Sequence, residues 1–429
     1  MNIRIHCLLI CQLIYSVVSA QQPVSQPFAG HITTGEVGFW CMFKDADSVL
    51  LRIVDNQNII AGSKTYYYTD AIRYKKYMPV QDVFSGLRPG TAYSIDYSFD
   101  GKSYTRLLQV NTADTGATPQ DFSFLAGSCA FISTGFNGAV KPFTSLKIFR
   151  HMQQDSADFM LWLGDNLYYI YEQRSLRTQL KRNIKTRLNK KLADFLSSKR
   201  HYAIWDDHDY GSNNSGSDFP HKETSLQVFQ QFWPNPASDS QTNYSTFREQ
   251  DAQFFLLDDR YHNEEMQTVL GSAQLEWLKK ELLASTATFK FIAMGMQALN
   301  PLSDRECFYQ TKEEYQSLIA FIREHKISGI IFLTGDRHHA DLLKVEEADM
   351  YPLYDFTTSP LTMYPVKISK KSPEFQSPYR VPGTYYPDYN YGKIRIEGPE
   401  NDRKCILEAY DQEGKRVWEH TIEAKKMQH

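Results

Sequence analysis

Six apolar runs in this chain end in residues that can hold a cation or move a proton. Phe124-Leu125-Ala126-Gly127-Ser128 leads into Cys129, and Leu161-Trp162-Leu163-Gly164 into Asp165. Ile204-Trp205 leads into Asp206-Asp207-His208-Asp209, and Leu256-Leu257 into Asp258-Asp259-Arg260. Met294-Gly295-Met296 leads into Gln297, and Phe332-Leu333-Thr334-Gly335 into Asp336-Arg337-His338-His339. An Asp after a strand is common in turns. Six endings rich in metal-ligand chemistry ask for a shared purpose, because α/β folds gather ligands beyond the carboxyl ends of their strands.

Each ending has its own chemistry. Asp165 and Tyr168 are three residues apart, so both can face one ion while the carboxylate bridges to a second. Asp206, Asp207 and Asp209 crowd three carboxylates around His208, a repulsion that cations relieve. Asp336, His338 and His339 put a carboxylate and two imidazoles after one buried run. A Cys129 thiolate suits a transition metal and suits a hard ion poorly; the same thiol also reads as core filling or half of a disulfide. Arg260 can fork onto an anionic oxygen or sit in a surface ion pair. Asp206 and Asp209 also allow a rival reading, a two-carboxylate glycosidase, which leaves Cys129, Tyr168 and His338 without roles.

The elements that position these residues are strands alternating with helices, an α/β pattern. Strands are expected at Phe122–Ala126, Phe159–Leu163, Ala203–Trp205, Phe254–Leu257, Phe289–Met294 and Ile327–Leu333. Helices are expected at Phe143–Gln154, Ser175–Ser198, Ser272–Ala284 and Lys312–His325, with Thr311 and Glu314 as a capping box for the last. Residues 351–393 read as a long surface loop, and 210–250 as loop-rich. Lys393–Ile396, Cys405–Tyr410 and Val417–Ile422 read as closing strands.

Ahead of this region the period changes to two. Val49, Leu51 and Ile53 alternate with their neighbours, and Asp100-Gly101 marks a hairpin. Gly86 to Tyr93 resembles the tyrosine corner of fibronectin type III sandwiches. The expected organisation is a signal peptide at 1–20, a β-sandwich domain at 21–115 and a larger domain at 116–429. The signal rests on Arg4, an apolar stretch from Ile5 to Val18, and the small-residue site Val18-Ser19-Ala20. It predicts a secreted or periplasmic protein with no later membrane span. Composition is that of an ordinary soluble protein: 429 residues, 42% hydrophobic, 23% charged, net charge −3. That balance excludes a general electrostatic grip on nucleic acid, and a monomer is expected. Past the signal, Cys41, Cys129, Cys307 and Cys405 allow three disulfide pairings.

Taken in order and spacing, the motifs resemble the PhoD-like (alkaline phosphatase D) family of the calcineurin-like metallophosphoesterase superfamily. They are Gly127-Ser128-Cys129, Leu163 to Tyr168, Trp205 to Asp209, Leu257 to Arg260, and Leu333 to His338. The resemblance implies a β-sandwich core flanked by helices, with a metal cluster at one sheet edge. It implies one metal on Cys129, Asp165, Tyr168 and His338, and a second on Asp165, Asp207 and Asp336. Fe³⁺ with Ca²⁺ is the family's pairing, with Zn²⁺ or Mn²⁺ as alternatives. Gln297 stands where the superfamily has a lone His. The implied reaction is hydrolysis of a phosphate monoester or diester by a metal-bound hydroxide, on a small ester, a phospholipid or a phosphate polymer. His208 would serve the leaving group, Arg260 would hold a phosphoryl oxygen, and His339 and Arg337 are candidates for substrate contact. The rival from another class is a secreted binding module with structural ions.

Overall fold

The period-two pattern of the first region folds as strands. These are β1 (Gln22–Pro23), β2 (Phe28–Ile32), β3 (Glu36–Lys44), β4 (Ser48–Asp55), β5 (Ile60–Tyr67), β6 (Tyr77–Ser85), β7 (Ala92–Ser98) and β8 (Thr105–Asn111). The structure, a computed structural model, describes residues 22–69, 73–116, 118–132, 145–169, 175–237 and 241–428. The signal-peptide reading of 1–20 lies outside these residues. One antiparallel sheet joins β1, β3, β2 and β6; the other runs β5-β4-β7-β8. Phe39, Cys41, Phe43, Leu51, Ile53, Val80 and Ile95 fill the core between them. The expected corner is present, because the buried Tyr93 hydroxyl accepts the Arg88 backbone N–H at 3.0 Å.

Alternate residues of β3 serve a second core. Trp40 and Met42 point away from the sandwich into the larger region, where Trp40 packs on Phe232. Gly30 permits the close approach: a Cβ there would stand 2.0 Å from the Pro234 carbonyl oxygen.

In the larger region two six-stranded sheets face each other. The first runs β11 (Arg200–Ile204), β10 (Phe159–Leu163), β9 (Phe122–Gly127), β18 (Asn390–Glu397), β19 (Lys404–Asp411), β20 (Arg416–Glu423). Its first three strands are parallel. The second runs β12 (Ser245–Glu249), β13 (Ala252–Leu256), β14 (Phe289–Ala293), β15 (Ile330–Thr334), β17 (Leu353–Thr357), β16 (Asp341–Val345). There β13, β14, β15 and β17 are parallel. Phe124 stands 5.0 Å from Phe254 and 5.3 Å from Phe291 by ring centroids, joining the sheets in one core. Helices cover the outer faces: α1 (Ile148–Gln154), α2 (Leu176–Arg187), α3 (Lys190–Leu196) and α5 (Lys222–Phe232) on the first sheet, α6 (Gly271–Ala284) and α7 (Lys312–Glu324) on the second. Burial on both faces explains why these strands read as unbroken apolar runs. Among the described residues no helix is long and apolar enough to cross a membrane.

Three expectations need correcting. The stretch 351–393 is not all surface loop: β17 lies buried inside the second sheet. Asp355 hides it in the sequence, yet its carboxylate is satisfied by the Thr334 hydroxyl at 2.6 Å and by the Ala298 and Leu299 N–H groups. Among the described residues of 210–250, loops surround α5 and β12, as expected. The stretch 175–198 is two helices, broken where Asn189 caps α3 by accepting from Lys191 and Leu192. Thr311 and Glu314 form no capping box. The Glu314 carboxylate instead accepts the N–H groups of Val269, Leu270 and Gly271 at the start of α6.

Candidate metal centre

The parallel strands of both sheets deliver their endings to one edge. There the chain turns through left-handed backbone at Cys129 (φ 57°), Asp165 (φ 53°), Asp336 (φ 61°) and His338 (φ 57°). None is glycine, so each costs about 1–3 kcal/mol, and such strain gathers at functional sites. Glycines before two of them let the loops close. A Cβ on Gly164 would meet the Asp206 side chain at 2.5 Å, and one on Gly335 the Leu163 carbonyl at 2.5 Å. Loop backbones lace together through Cys129 N–H to Gly164 O (3.3 Å) and Ala130 N–H to Asp165 O (2.8 Å).

Asp165 is the hub. Its Oδ2 accepts the Tyr168 hydroxyl at 2.8 Å and lies 3.5 Å from the Cys129 sulfur. Its Oδ1 accepts the His208 backbone N–H at 3.1 Å. Potential ligand atoms of Asp165, Asp207 and His208 lie within 4.8 Å of one another. The His208 ring stands 4.3 Å from that of Tyr168. Asp165, His208, Asp336, His338 and His339 line one cavity of ≈ 300 Å³. Asp207 is fixed from behind by the Asn214 backbone N–H at 2.6 Å.

Electrostatics shows what the cluster lacks. Burial, then Asp207, Asp209 and Asp336, push the Asp165 carboxyl well above its usual range. Burial, then Asp207, raises Asp336. Burial, then Asp165, raises both the Cys129 thiol and the Tyr168 phenol. Burial also pushes Asp207 up, but His208, Arg260 and hydrogen bonds from Asn214 N–H and Asp165 together hold that carboxyl below normal. Asp207 Oδ1 and His338 Nδ1 are buried without a partner. Orphaned oxygen and nitrogen atoms beside crowded acids, a thiol and a phenol form a donor set that fits cations.

The neighbouring residues divide into support and wall. Arg260 is 1% exposed and sits behind the carboxylates, not on the cavity wall. Its Nε donates to Asp206 Oδ1 at 2.5 Å and its Nη1 to Glu306 at 2.9 Å. A direct grip on substrate is therefore not its position in this arrangement. Asp206 and Asp209 cap the short helix α4 (Asp207–Tyr210) as a capping box. Asp209 also accepts from Leu167 N–H, so these two carboxylates do not face an open cleft as a glycosidase pair would. Gln297 is spent on Thr357, Asp341 and Asn300. Arg337 is locked on Glu374 by two bonds of 3.0 and 2.7 Å. His339 lies with Nε2 3.7 Å from Asp341, its Nδ1 without a partner. Cys41, Cys129, Cys307 and Cys405 are all buried free thiols, so none of the three pairings forms.

The family model described as PhoD-like phosphatase matches residues 124–399. The chain belongs to that family. It is accordingly a phosphoesterase with a metal centre. The solved structure titled "Structure of PhoD" superposes with a TM-score of 0.73 at 17% identity, covering 93% of this chain and 92% of that one. Purple acid phosphatase PPD1 from yellow lupin (Lupinus luteus) seeds superposes at 0.66 with 10% identity, covering 93% and 74%. At these identities the two share the fold, a metallophosphoesterase-type sandwich flanked by helices. A comparison with curated proteins finds no match.

Some residues at this PhoD-like centre escaped the sequence reading. Ser359, fully buried, donates to the Cys129 sulfur at 3.1 Å. Tyr364 stacks edge-on to His338 at 5.2 Å, and Lys367 and Arg305 line the cavity. Ser359 follows the strand that Asp355 concealed, so no apolar run pointed to it.

Proposed function

We propose that the chain is an exported phosphoesterase in which Cys129, Asp165, Tyr168 and His338 hold one metal ion, and Asp165, Asp207 and Asp336 a second. The observation that carries this reading is the convergence of a thiol and a phenol on the Asp165 carboxylate. Thiolate with phenolate suits Fe³⁺, and the all-oxygen half suits Ca²⁺. Bound cations supply two effects: they bring the pKa of water toward neutrality and offset charge on phosphoryl oxygens.

The protein groups do the rest. The left-handed turns hold the ligand side chains in place before substrate arrives. His208, on the cavity wall beside Tyr168, donates a proton to the departing alcohol oxygen. His339 contacts the substrate from the same wall. Arg260 keeps Asp206 and Glu306 neutralised and favours the ionised form of Asp207, acting as a positioning residue. Residues 21–115 act as a positioning domain, and 116–429 carry the chemistry as a monomer outside the cytoplasm. The substrate is a phosphate ester small enough to reach the cavity floor, whether free or at the end of a lipid or polymer.

The test compares wild type with Asp165→Asn on p-nitrophenyl phosphate and bis(p-nitrophenyl) phosphate, with metal analysis and visible absorption on both proteins. Iron and calcium, a tyrosinate charge-transfer band and turnover are expected in wild type, with all four lost or strongly reduced in the variant. A folded Asp165→Asn protein with wild-type turnover would sink the assignment. Zinc or manganese without a visible band would replace the iron.

A further inference from the structure

The cavity above the metal centre has a wall the reaction itself does not need. Residues 363–372 lay a loop along it, and the loop is pinned at two points. Val366 N–H donates to the His338 carbonyl at 2.9 Å, and Ile368 N–H to the Tyr385 hydroxyl at 2.8 Å. Between these anchors stands Lys367, which lines the cavity and is exposed.

The charges on this wall are nearly all spoken for. Asp165 and Asp336 belong to the metal cluster. Glu374 is clasped by Arg337, and Asp304 lies 3.9 Å from Arg305. Lys367 has no ion pair or side-chain hydrogen bond with any described residue. Lys370 and Lys371 on the same loop are exposed and add to the positive field. Ser369 and Ser372 lie on the same lining, where their hydroxyls accept the Lys371 N–H at 3.2 Å and the Glu374 N–H at 3.3 Å and so help fix the loop. A pinned loop that carries an unpaired ammonium along a cavity has the chemistry of an anion subsite.

Its place says which part of a substrate would use it. With the reacting phosphoryl group against Asp165 and Asp336, an alcohol half lying toward the loop runs along this wall. The loop reaches that half just past His338, on which Tyr364 packs. The volume of ≈ 300 Å³ is at the small end of ligand pockets and holds a compact, sugar-sized alcohol.

We propose that Lys367 reads a second phosphate on the alcohol half of the substrate, making the enzyme selective for bis-phosphorylated esters over esters of neutral alcohols. This rests on the phosphoesterase reading of the same site. The second phosphate can belong to a small molecule or to the next unit of a phosphodiester chain, since the ammonium meets the same group in both.

The experiment measures kcat/KM of the metal-loaded enzyme for fructose 1,6-bisphosphate and fructose 6-phosphate, and for the dinucleotide pTpT against TpT. Wild type, Lys367→Ala and Lys367→Arg are compared. The bisphosphate-to-monophosphate ratio should fall roughly tenfold in Lys367→Ala through KM, and recover in Lys367→Arg. It should also shrink with added salt. A fall confined to the fructose pair assigns a small molecule, and a fall confined to the dinucleotides assigns a chain. An equal ratio in all three proteins for both pairs overturns the proposal. If no ester is turned over, the phosphoesterase reading fails separately. Equilibrium binding of the two fructose phosphates to the three proteins then decides the subsite by the same ratio.

Discussion

Ser359 connects two of the proposed ligand loops through a single hydroxyl: it donates to the Cys129 sulfur at 3.1 Å and accepts the His338 backbone N–H at 3.0 Å. Cys129 follows a strand of the first sheet and His338 a strand of the second. One buried oxygen thus sets the spacing of ligands that come from opposite halves of the core.

Ser359→Ala should weaken metal binding by about 10–100-fold, the usual cost of losing such a supporting partner. Ser359→Thr keeps the hydroxyl and should restore much of it. Competition against a chelator, followed by metal analysis, reads the affinity. Equal metal retention in wild type and Ser359→Ala would leave the hydroxyl with a packing role only.

The sequence located the strand endings because a doubly buried strand is an unbroken apolar run, and the polar residue after it stands out. Cys129, Asp165, Asp207 and Asp336 were legible on that ground. Ser359 was not. Its strand is interrupted by Asp355 and Thr357, whose polar atoms are paid by Thr334 and by backbone N–H groups from another strand's end. Arg260 was legible as a cation, but its commitment to Asp206 and Glu306 depends on contacts across 54 and 46 residues.

A second prediction concerns acid. His201 is fully buried and its Nδ1 accepts the Trp162 indole N–H at 3.0 Å, a bond the charged ring would lose. Burial, then Lys199, pulls its pKa down from 6.5 to about 3. Below pH 6.5 the unfolded chain therefore binds a proton that the native protein refuses, and stability falls as pH drops toward the folded value. Between pH 6.5 and 5 this amounts to about 2 kcal/mol. Urea titrations of metal-free wild type and His201→Gln at pH 7.5 and 5 should show a correspondingly smaller acid penalty in the variant. Parallel losses in the two proteins would refute the assignment.

The third concerns Glu314. A carboxylate of α7 holding three N–H groups at the start of α6 substitutes for the cap that Leu270 cannot provide. Glu314→Ala should cost roughly 2–4 kcal/mol. Glu314→Gln, which retains an acceptor, should cost less. The loss should appear as faster hydrogen exchange in the first turn of α6, although the mutation lies in α7. A change confined to α7 would contradict the cross-helix role.

The order of the first sheet carries a consequence for how the protein is made. The strand that leads to Cys129, β9, lies between β10 and β18, and β18 comes from residues 390–397. While a ribosome has yet to deliver those residues, β9 has an unpaired margin on that side, open to other chains. No proposed ligand lies beyond His338, yet the cysteine's strand cannot be enclosed until almost the whole chain exists. Such long-range pairing predicts slow folding. A chain cut after residue 380 would keep every proposed ligand and still present that bare margin to its neighbours.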